Sequence, residues 1–296
     1  MELTHTAGHP GRLSDFLKKE MGISTGLMNR LKWHGGILVN GKPEHTDYPV
    51  QPGDRISLLL DESAPQYPAE DVPIIVLYED AHLLAVDKAP GILIHPSRVR
   101  NTGTLANFVA GYYARTGQSC AFHPVTRLDR DTFGIVLLAK NAHVHALMNQ
   151  LHNSGQIRKT YHALVFGGPE QDCGTISAPI ARRPLPSLLR EIHPDGKPSV
   201  TEYRVLARHD GCSSLSLRPV TGRTHQLRLH CAYKGFPILG DPQYGTPESQ
   251  RFSAGFGFES QQLCAHTLEF PHPITGQLLR LSSQLDAVLP TLTEGE

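Results

Sequence analysis

The sequence predicts an α+β protein in two parts, a small N-terminal α/β unit over residues 10–60 and a larger unit over residues 72–290, joined by a linker at 61–71. Three observations carry that prediction. Apolar stripes at helical spacing alternate along the chain with period-two runs typical of strands. Strand-like runs meet across short turns, as in Ile74–Asp80 followed by His82–Lys88. Between the two parts, Asp61 to Asp71 is polar, acidic and proline-bearing, the composition of an extended linker whose charge keeps it off any polyanion's path. At 296 residues the chain can bury a sizeable core and still carry an accessory domain.

Composition narrows the function classes. The 28 basic residues balance the 28 acidic ones, so binding to nucleic acid would have to come from local patches and not from global charge. The 17 histidines add positive charge in mildly acid conditions. The five cysteines stand singly without a Cys-x-x-Cys pair, which suggests neither a disulfide framework nor a zinc site. Met1 to Thr6 lacks a basic and then apolar leader pattern, and no run is long enough to span a bilayer. The expectation is a soluble, cytoplasmic monomer with no membrane partner and no metal.

In the N-terminal part, Leu13, Phe16 and Leu17 form one helical stripe, and Leu27, Met28 and Leu31 form a second. Arg30 and Lys32 stand on the solvent side of the second helix, and Gly35-Gly36 stops it. Ile37-Leu38-Val39-Asn40-Gly41-Lys42 reads as a strand entering an Asn-Gly turn, and a further strand closes near Arg55–Leu58.

In the larger part, strands over 74–80 and 82–88 are followed by an Ala89-Pro90-Gly91 turn and a helix from Thr104 to Ala114. A buried strand at Ile135–Lys140 leads to a helix over Ala142–Leu151 and an alternating strand over Ile157–Gly167. Ala181 to Arg190, with Arg182 and Arg183, is the most basic local cluster. Strands follow at Thr201–Leu206 and Ser214–Val220. Thr221 or Thr224 can cap the next helix, which puts residues 223, 227 and 230 on one face. The tail past about Leu289 is expected to be unordered.

One stretch stands out from that inventory. In His123-Pro124-Val125-Thr126-Arg127-Leu128-Asp129-Arg130-Asp131-Thr132-Phe133-Gly134, three charges alternate with Leu128 and Arg130 at the lip of a core strand. A carboxylate beside a guanidinium keeps its charge when partly desolvated, which suits a catalytic site. The same spacing also fits a buried Arg–Asp pair that only orders a loop, and it leaves both readings open. It does not exclude a glycoside hydrolase either, since paired carboxylates there lie about 5–10 Å apart.

Arg127-Leu128-Asp129-Arg130-Asp131-Thr132-Phe133-Gly134 resembles the signature of the RluA-type pseudouridine synthases, with Thr126 and Phe133 standing where that family commonly has His and Ser. The string "DKAPGILIHPS", the Lys159-Thr160-Tyr161 triplet and "TGRTHQLR" at 221–228 resemble its other motifs. The resemblance implies a catalytic domain on a mixed, mainly antiparallel sheet flanked by helices. It implies that Asp129 is the catalytic residue, that Asp131 is structural and that no cofactor is needed. It further implies that Arg223 pairs with the catalytic carboxylate, that Tyr161 and Leu227 wall the uracil, and that Arg127 fills the gap left by a flipped nucleotide. The N-terminal part is similar to the S-four-type RNA-binding domain, so Arg30 and Lys32, with Arg182 and Arg183, are expected on RNA phosphates. The implied partner is RNA, first of all large-subunit ribosomal RNA, with transfer RNA open. The rival reading is a non-catalytic RNA-binding or ribosome-assembly protein that keeps the fold.

Overall fold

In a computed structural model the described residues are 2–23, 25–33, 35–59, 67–97, 100–184, 187 and 189–287. Residues 61–66 of the expected linker and the tail from 288 onward lie outside them.

The N-terminal part contains β1 (Glu2–Thr6), β2 (Gly11–Arg12), α1 (Leu13–Asp15), which runs into a π-helical turn at Phe16–Glu20, α2 (Thr25–Trp33), β3 (Ile37–Val39), β4 (Lys42–Pro43), β5 (Pro49–Val50) and β6 (Arg55–Leu59). Its main sheet has the order β1-β6-β3-β4. Both apolar helical stripes close over that sheet, and Leu13, Phe16, Leu17, Leu27, Leu31, Ile37, Ile56 and Leu58 form one core. The β3–β4 turn uses Asn40 and Gly41 at φ 50° and 79°, the left-handed pair that a two-residue hairpin favours. The unit starts earlier than residue 10, because β1 pairs with β6 along its whole length. That strand was hidden in the sequence: of its five residues only Leu3 is buried, too little for a periodic signal.

The larger part contains β7 (Ile75–Glu79), β8 (Leu83–Lys88), α3 (Leu105–Arg115), β9 (His123–Pro124), β10 (Phe133–Ala139), α4 (Ala142–Asn153), β11 (Arg158–Phe166), β12 (Cys173–Ser177), β13 (Ile180–Arg182), β14 (Arg190–Ile192), β15 (Val200–His209), β16 (Cys212–Pro219), α5 (Gln226–Tyr233), α6 (Pro247–Gly255), β17 (Leu263–Pro271) and β18 (Leu278–Ser282). Among the described residues these strands form a ten-stranded sheet along the path β12-β15-β16-β11-β17-β10-β8-β7, with β18 on β17 and β9 on β10. The architecture is α+β, with a mixed sheet and flanking helices. Within that sheet the β10–β17 pairing is parallel and short, Phe133 with Cys264 and Gly134 with Ala265, while the other strand pairings are antiparallel. Gly134 permits that approach: at φ +101° a Cβ there would sit 2.5 Å from the carbonyl oxygen of Ala265.

The unbroken apolar run of β10 follows from its position. Ile135, Leu137 and Ala139 pack with Val144 and Met148 of α4, while Val136 and Leu138 pack with Leu105 and Val109 of α3. A strand covered on both faces carries no polar side, hence no alternation. On β11 the two faces diverge in purpose. Tyr161, Ala163 and Val165 pack with Leu227 and Cys231 of α5, whereas Leu164 packs with Phe133, Cys212 and Cys264 on the other side.

The described end of the expected linker, Tyr67–Asp71, is not a free tether. Glu70 accepts from the Gly103 amide at 2.8 Å, and Asn107 Nδ2 donates to the Pro68 carbonyl at 2.9 Å. A Cβ on Gly111 of α3 would lie 2.0 Å from the Glu70 carbonyl, so the segment lies directly on that helix. Polar composition reads as a linker, but here the polar groups are hydrogen-bonding partners of α3 and of the turn before it.

Candidate active site

The stretch from Val125 to Thr132 forms no strand of its own. Thr126 is buried and its hydroxyl accepts the Leu137 amide at 2.9 Å, so the residue in place of the family's usual His anchors the loop to β10. Phe133, in place of the usual Ser, is core. From the other side, buried Lys88 at the end of β8 donates to the carbonyls of Ala89 (3.0 Å), Ile92 (3.0 Å) and Arg130 (2.7 Å). Burial lowers the Lys88 ammonium to about 8, against the pull of Asp131 and Asp129. This lysine therefore holds the loop between Asp129 and Asp131 at a fixed height.

The two carboxylates have different partners. Asp131 takes a fork of hydrogen bonds from its neighbour Arg130, at 2.9–3.1 Å. Asp129 is paired with Arg228, whose Nη1 donates to Oδ2 at 3.1 Å across 99 residues of sequence. Arg228 is itself fixed: Nε and Nη2 donate to the two oxygens of buried Asp241 at 2.7 Å each, and Nη2 also donates to Gln243 at 2.9 Å. Asp241 takes the backbone amides of Gln243 and Tyr244 as well. Burial opposes the charge on Arg228, but Asp241 and Asp129 together raise its pKa above the ordinary value.

The pairing expected for Arg223 therefore falls to Arg228. Helix α5 begins at Gln226, not at Thr221 or Thr224, because His225 before it adopts a left-handed backbone (φ 58°). Arg223 sits in the preceding turn, exposed, with its amide donating to the Gln226 side chain at 3.0 Å. The pairing implied for Arg223 by the family resemblance is thus made by the second arginine of the same motif, Arg228, and residues 223, 227 and 230 do not share one helical face.

The strained backbone at His225 places its ring beside the carboxylate. Its Nε2 lies 3.8 Å from Asp129 Oδ2, and its Nδ1 is 2.9 Å from the Tyr244 hydroxyl. That hydroxyl accepts the Arg190 amide at 2.9 Å, and in the tautomer where its own proton goes to His225 Nδ1, Nε2–H faces Asp129. Burial, with Arg228 and Arg190 near, holds the imidazole below its usual range despite Asp129 and Asp241.

Around this centre the sequence's other candidates divide. Tyr161 and Leu227 meet in one apolar cluster, and Tyr161 is close enough to Asp129 that the carboxylate, after burial, helps push its phenol pKa up. Arg127 is exposed, and its positive field reaches two partly buried bases: it adds to the burial that lowers both Lys159 and His95. Arg183 pairs with Glu191 at 3.5 Å where β13 runs beside β14, and Arg182 is exposed at the end of β13. The basic cluster is thus a hairpin, with residues 185, 186 and 188 outside the described residues. Lys32 is exposed on α2 beside Trp33, and Arg30 lies in the same helix. The residues the sequence argument overlooked are Arg228, His225, Asp241, Tyr244 and Lys88. Lys88, His225 and Arg228 lie within quoted motif strings and Asp241 and Tyr244 do not, but the roles of all five depend on contacts between distant segments. Among the described residues, the His/Cys/Asp/Glu grouping within chelating distance of one ion lies elsewhere.

Comparison with known proteins fits this geometry. Residues 82–233 match the family model described as RNA pseudouridylate synthase. The chain is 36% identical over 280 residues to an uncharacterized RNA pseudouridine synthase of Bacillus subtilis strain 168, covering 94% of this chain and 96% of that protein. It is 30% identical over 290 residues to the ribosomal large subunit pseudouridine synthase C of Vibrio cholerae, covering 94% and 90%. In fold it is similar to human RNA pseudouridylate synthase domain containing 4, with a TM-score of 0.59 at 23% identity over 71% of this chain and 88% of that one. No helix among the described residues is long and apolar enough to cross a membrane. A match over half the chain and these full-length relatives give the conclusion: this chain belongs to the RNA pseudouridylate synthase family, isomerases that act on RNA.

Proposed function

We propose that this chain isomerises uridine in large-subunit ribosomal RNA, with Asp129 as the reacting group and without a cofactor. One observation carries the assignment of Asp129: it is the loop carboxylate held by a buried guanidinium that is itself locked by a second carboxylate, next to an apolar wall of Tyr161 and Leu227. The reaction breaks the bond between ribose and nitrogen one of uracil, turns the base and rejoins it through carbon five. It needs a carboxylate that can attack or take a proton from the sugar, and a slot that retains the freed base. Arg228 fixes the carboxylate, and Tyr161 and Leu227 retain the base. The target must leave its stack, and exposed Arg127 is the side chain placed to fill the gap. Arg127 and Lys159 supply positive potential for the flanking phosphates.

The N-terminal unit (residues 10–60 with β1 added), through Arg30 and Lys32, and the hairpin with Arg182 and Arg183 extend that contact along structured RNA. The ribosomal assignment rests on relatives such as the Vibrio cholerae enzyme, whose name states its large-subunit target. The test is tritium release from large-subunit ribosomal RNA transcribed with uridine tritiated at carbon five. Release by wild type and background release by Asp129→Asn is the expected result. Equal release from both proteins overturns the role of Asp129. Release from transfer RNA alone overturns the ribosomal target.

A further inference from the structure

On the face of the sheet away from the synthase slot, three side chains converge that the reaction does not use. Tyr161 and His162 are neighbours on β11, so their side chains leave opposite faces. While Tyr161 joins the slot, His162 meets His266 of β17 and Asp286, which follows β18. A bulge brings them together: Thr160 pairs with Thr267 and Tyr161 with Ala265, leaving His266 as the extra residue. The two imidazoles stack at 3.9 Å between centroids and 12° between planes. Asp286 serves both, with Oδ1 2.9 Å from His162 Nδ1 and Oδ2 3.9 Å from His266 Nε2.

We propose that His162, His266 and Asp286 bind one zinc-class divalent ion. The donor set is two imidazoles and a carboxylate, and one nitrogen or oxygen from each lies within 4.8 Å of the others. Two imidazoles and a carboxylate with a water in the fourth position is an established zinc pattern. Supporting contacts already orient the ligands. His266 Nδ1 is 3.0 Å from the Thr267 hydroxyl, which leaves Nε2 for the ion, and Asp286 Oδ1 accepts the Ala287 amide at 2.8 Å. For His162, the ion takes the place of the Nδ1 proton now shared with Asp286, and that proton moves to Nε2.

Nearly parallel rings cannot both hold an ion in their planes, so binding splays the stack by rotation about the Cβ–Cγ bonds. Room for that exists, since His162 and Asp286 line a cavity of ≈ 350 Å³ with Leu206, His209 and Ser214. All three ligands keep some exposure, at 21%, 25% and 36% of their side chains, so an ion and its water can enter. The ion would fasten the segment after β18 to β11 and β17. His162 and Asp286 are 124 residues apart, which is why no ligand spacing appears in the sequence.

The test titrates metal-free, full-length protein with Zn²⁺ against a chromophoric chelator at neutral pH, with melting temperature as a second readout. Wild type is expected to bind one equivalent and to melt higher with Zn²⁺ than without. His266→Ala and Asp286→Asn should each weaken binding by at least about tenfold and abolish the melting shift. His209→Ala, in the same cavity but outside the donor set, should behave as wild type and so separates this site from the protein's other histidines. Should His266→Ala fail to fold without metal, Asp286→Asn carries the test, since it keeps size and shape. Wild type that takes up no Zn²⁺ in competition, or His266→Ala and Asp286→Asn that retain wild-type affinity, overturns the proposal.

Discussion

Asp129 and Asp131 are two residues apart on one loop, both carboxylates, both beside an arginine, yet they are held in opposite ways. Asp131 is gripped by its chain neighbour Arg130, whose side chain is 59% exposed. Asp129 is held by Arg228, which is 4% exposed and arrives from a helix on the far half of the sheet. The local pair forms whenever the loop forms. The distant pair exists only when the whole sheet is assembled, and it is anchored by a third group, Asp241, with no exposed surface on its side chain. A charge held by a pre-locked partner needs no reorganisation when chemistry begins, whereas a flexible surface partner gives no such guarantee. The difference between the two carboxylates lies in what stands behind the arginine.

The largest effect should come from removing that backing. Asp241→Ala leaves a buried guanidinium without its main partner, and should cost about 3–5 kcal/mol of stability in urea unfolding. Turnover should collapse with it, and an unchanged unfolding midpoint would erase the distinction between the two pairs. Next is Lys88, which supports the loop under both carboxylates. Its ammonium titrates near 8 in the folded protein and at 10.5 in the unfolded chain, so between those values only the unfolded chain holds the proton. The group's penalty on folding therefore shrinks as pH rises through that window. The loop, meanwhile, loses a donor to its three carbonyls, so turnover should fall above pH of about 8. Lys88→Met should be slow throughout and lack that alkaline limb in a rate–pH profile.

Smaller again is Asp131→Asn, expected to lower turnover less than tenfold, under about 1.4 kcal/mol of barrier. A loss equal to that of Asp129→Asn would make the two carboxylates a working pair. Smallest is Arg130→Ala, an exposed pair worth about 0–1 kcal/mol in the same unfolding assay.

Much of this was legible in the sequence because it is local. The β10 run, the α3 and α4 stripes and the Asn40-Gly41 turn are written in consecutive residues, and each falls within a few residues of its expected place. Asp129, Tyr161 and Leu227 were reached through motif strings and do come together. The failures share a cause. Arg223 stays outside the helix because a single left-handed residue at 225 delays the helix start, and Arg228, inside it, meets the carboxylate instead. Strand β1 carries one buried side chain, and its pairing with β6 is settled more than fifty residues downstream. Tyr67–Asp71 has a linker's composition, yet its polar groups are satisfied by α3 and the turn that leads into it. Backbone handedness and long-range hydrogen bonds leave little trace in composition or periodicity.

The short parallel contact between β10 and β17 divides the large sheet into two antiparallel blocks stitched at two residues. Asp129 hangs from the first block, four residues before the stitch, while Tyr161, Leu227 and Arg228 belong to the second. The proposed reacting carboxylate and its enclosure thus sit on separate blocks, and the seam between them runs past Gly134. A side chain at that glycine would collide with the backbone of Ala265, the register partner of Tyr161, so a residue that carries no chemistry sets how closely the two blocks approach.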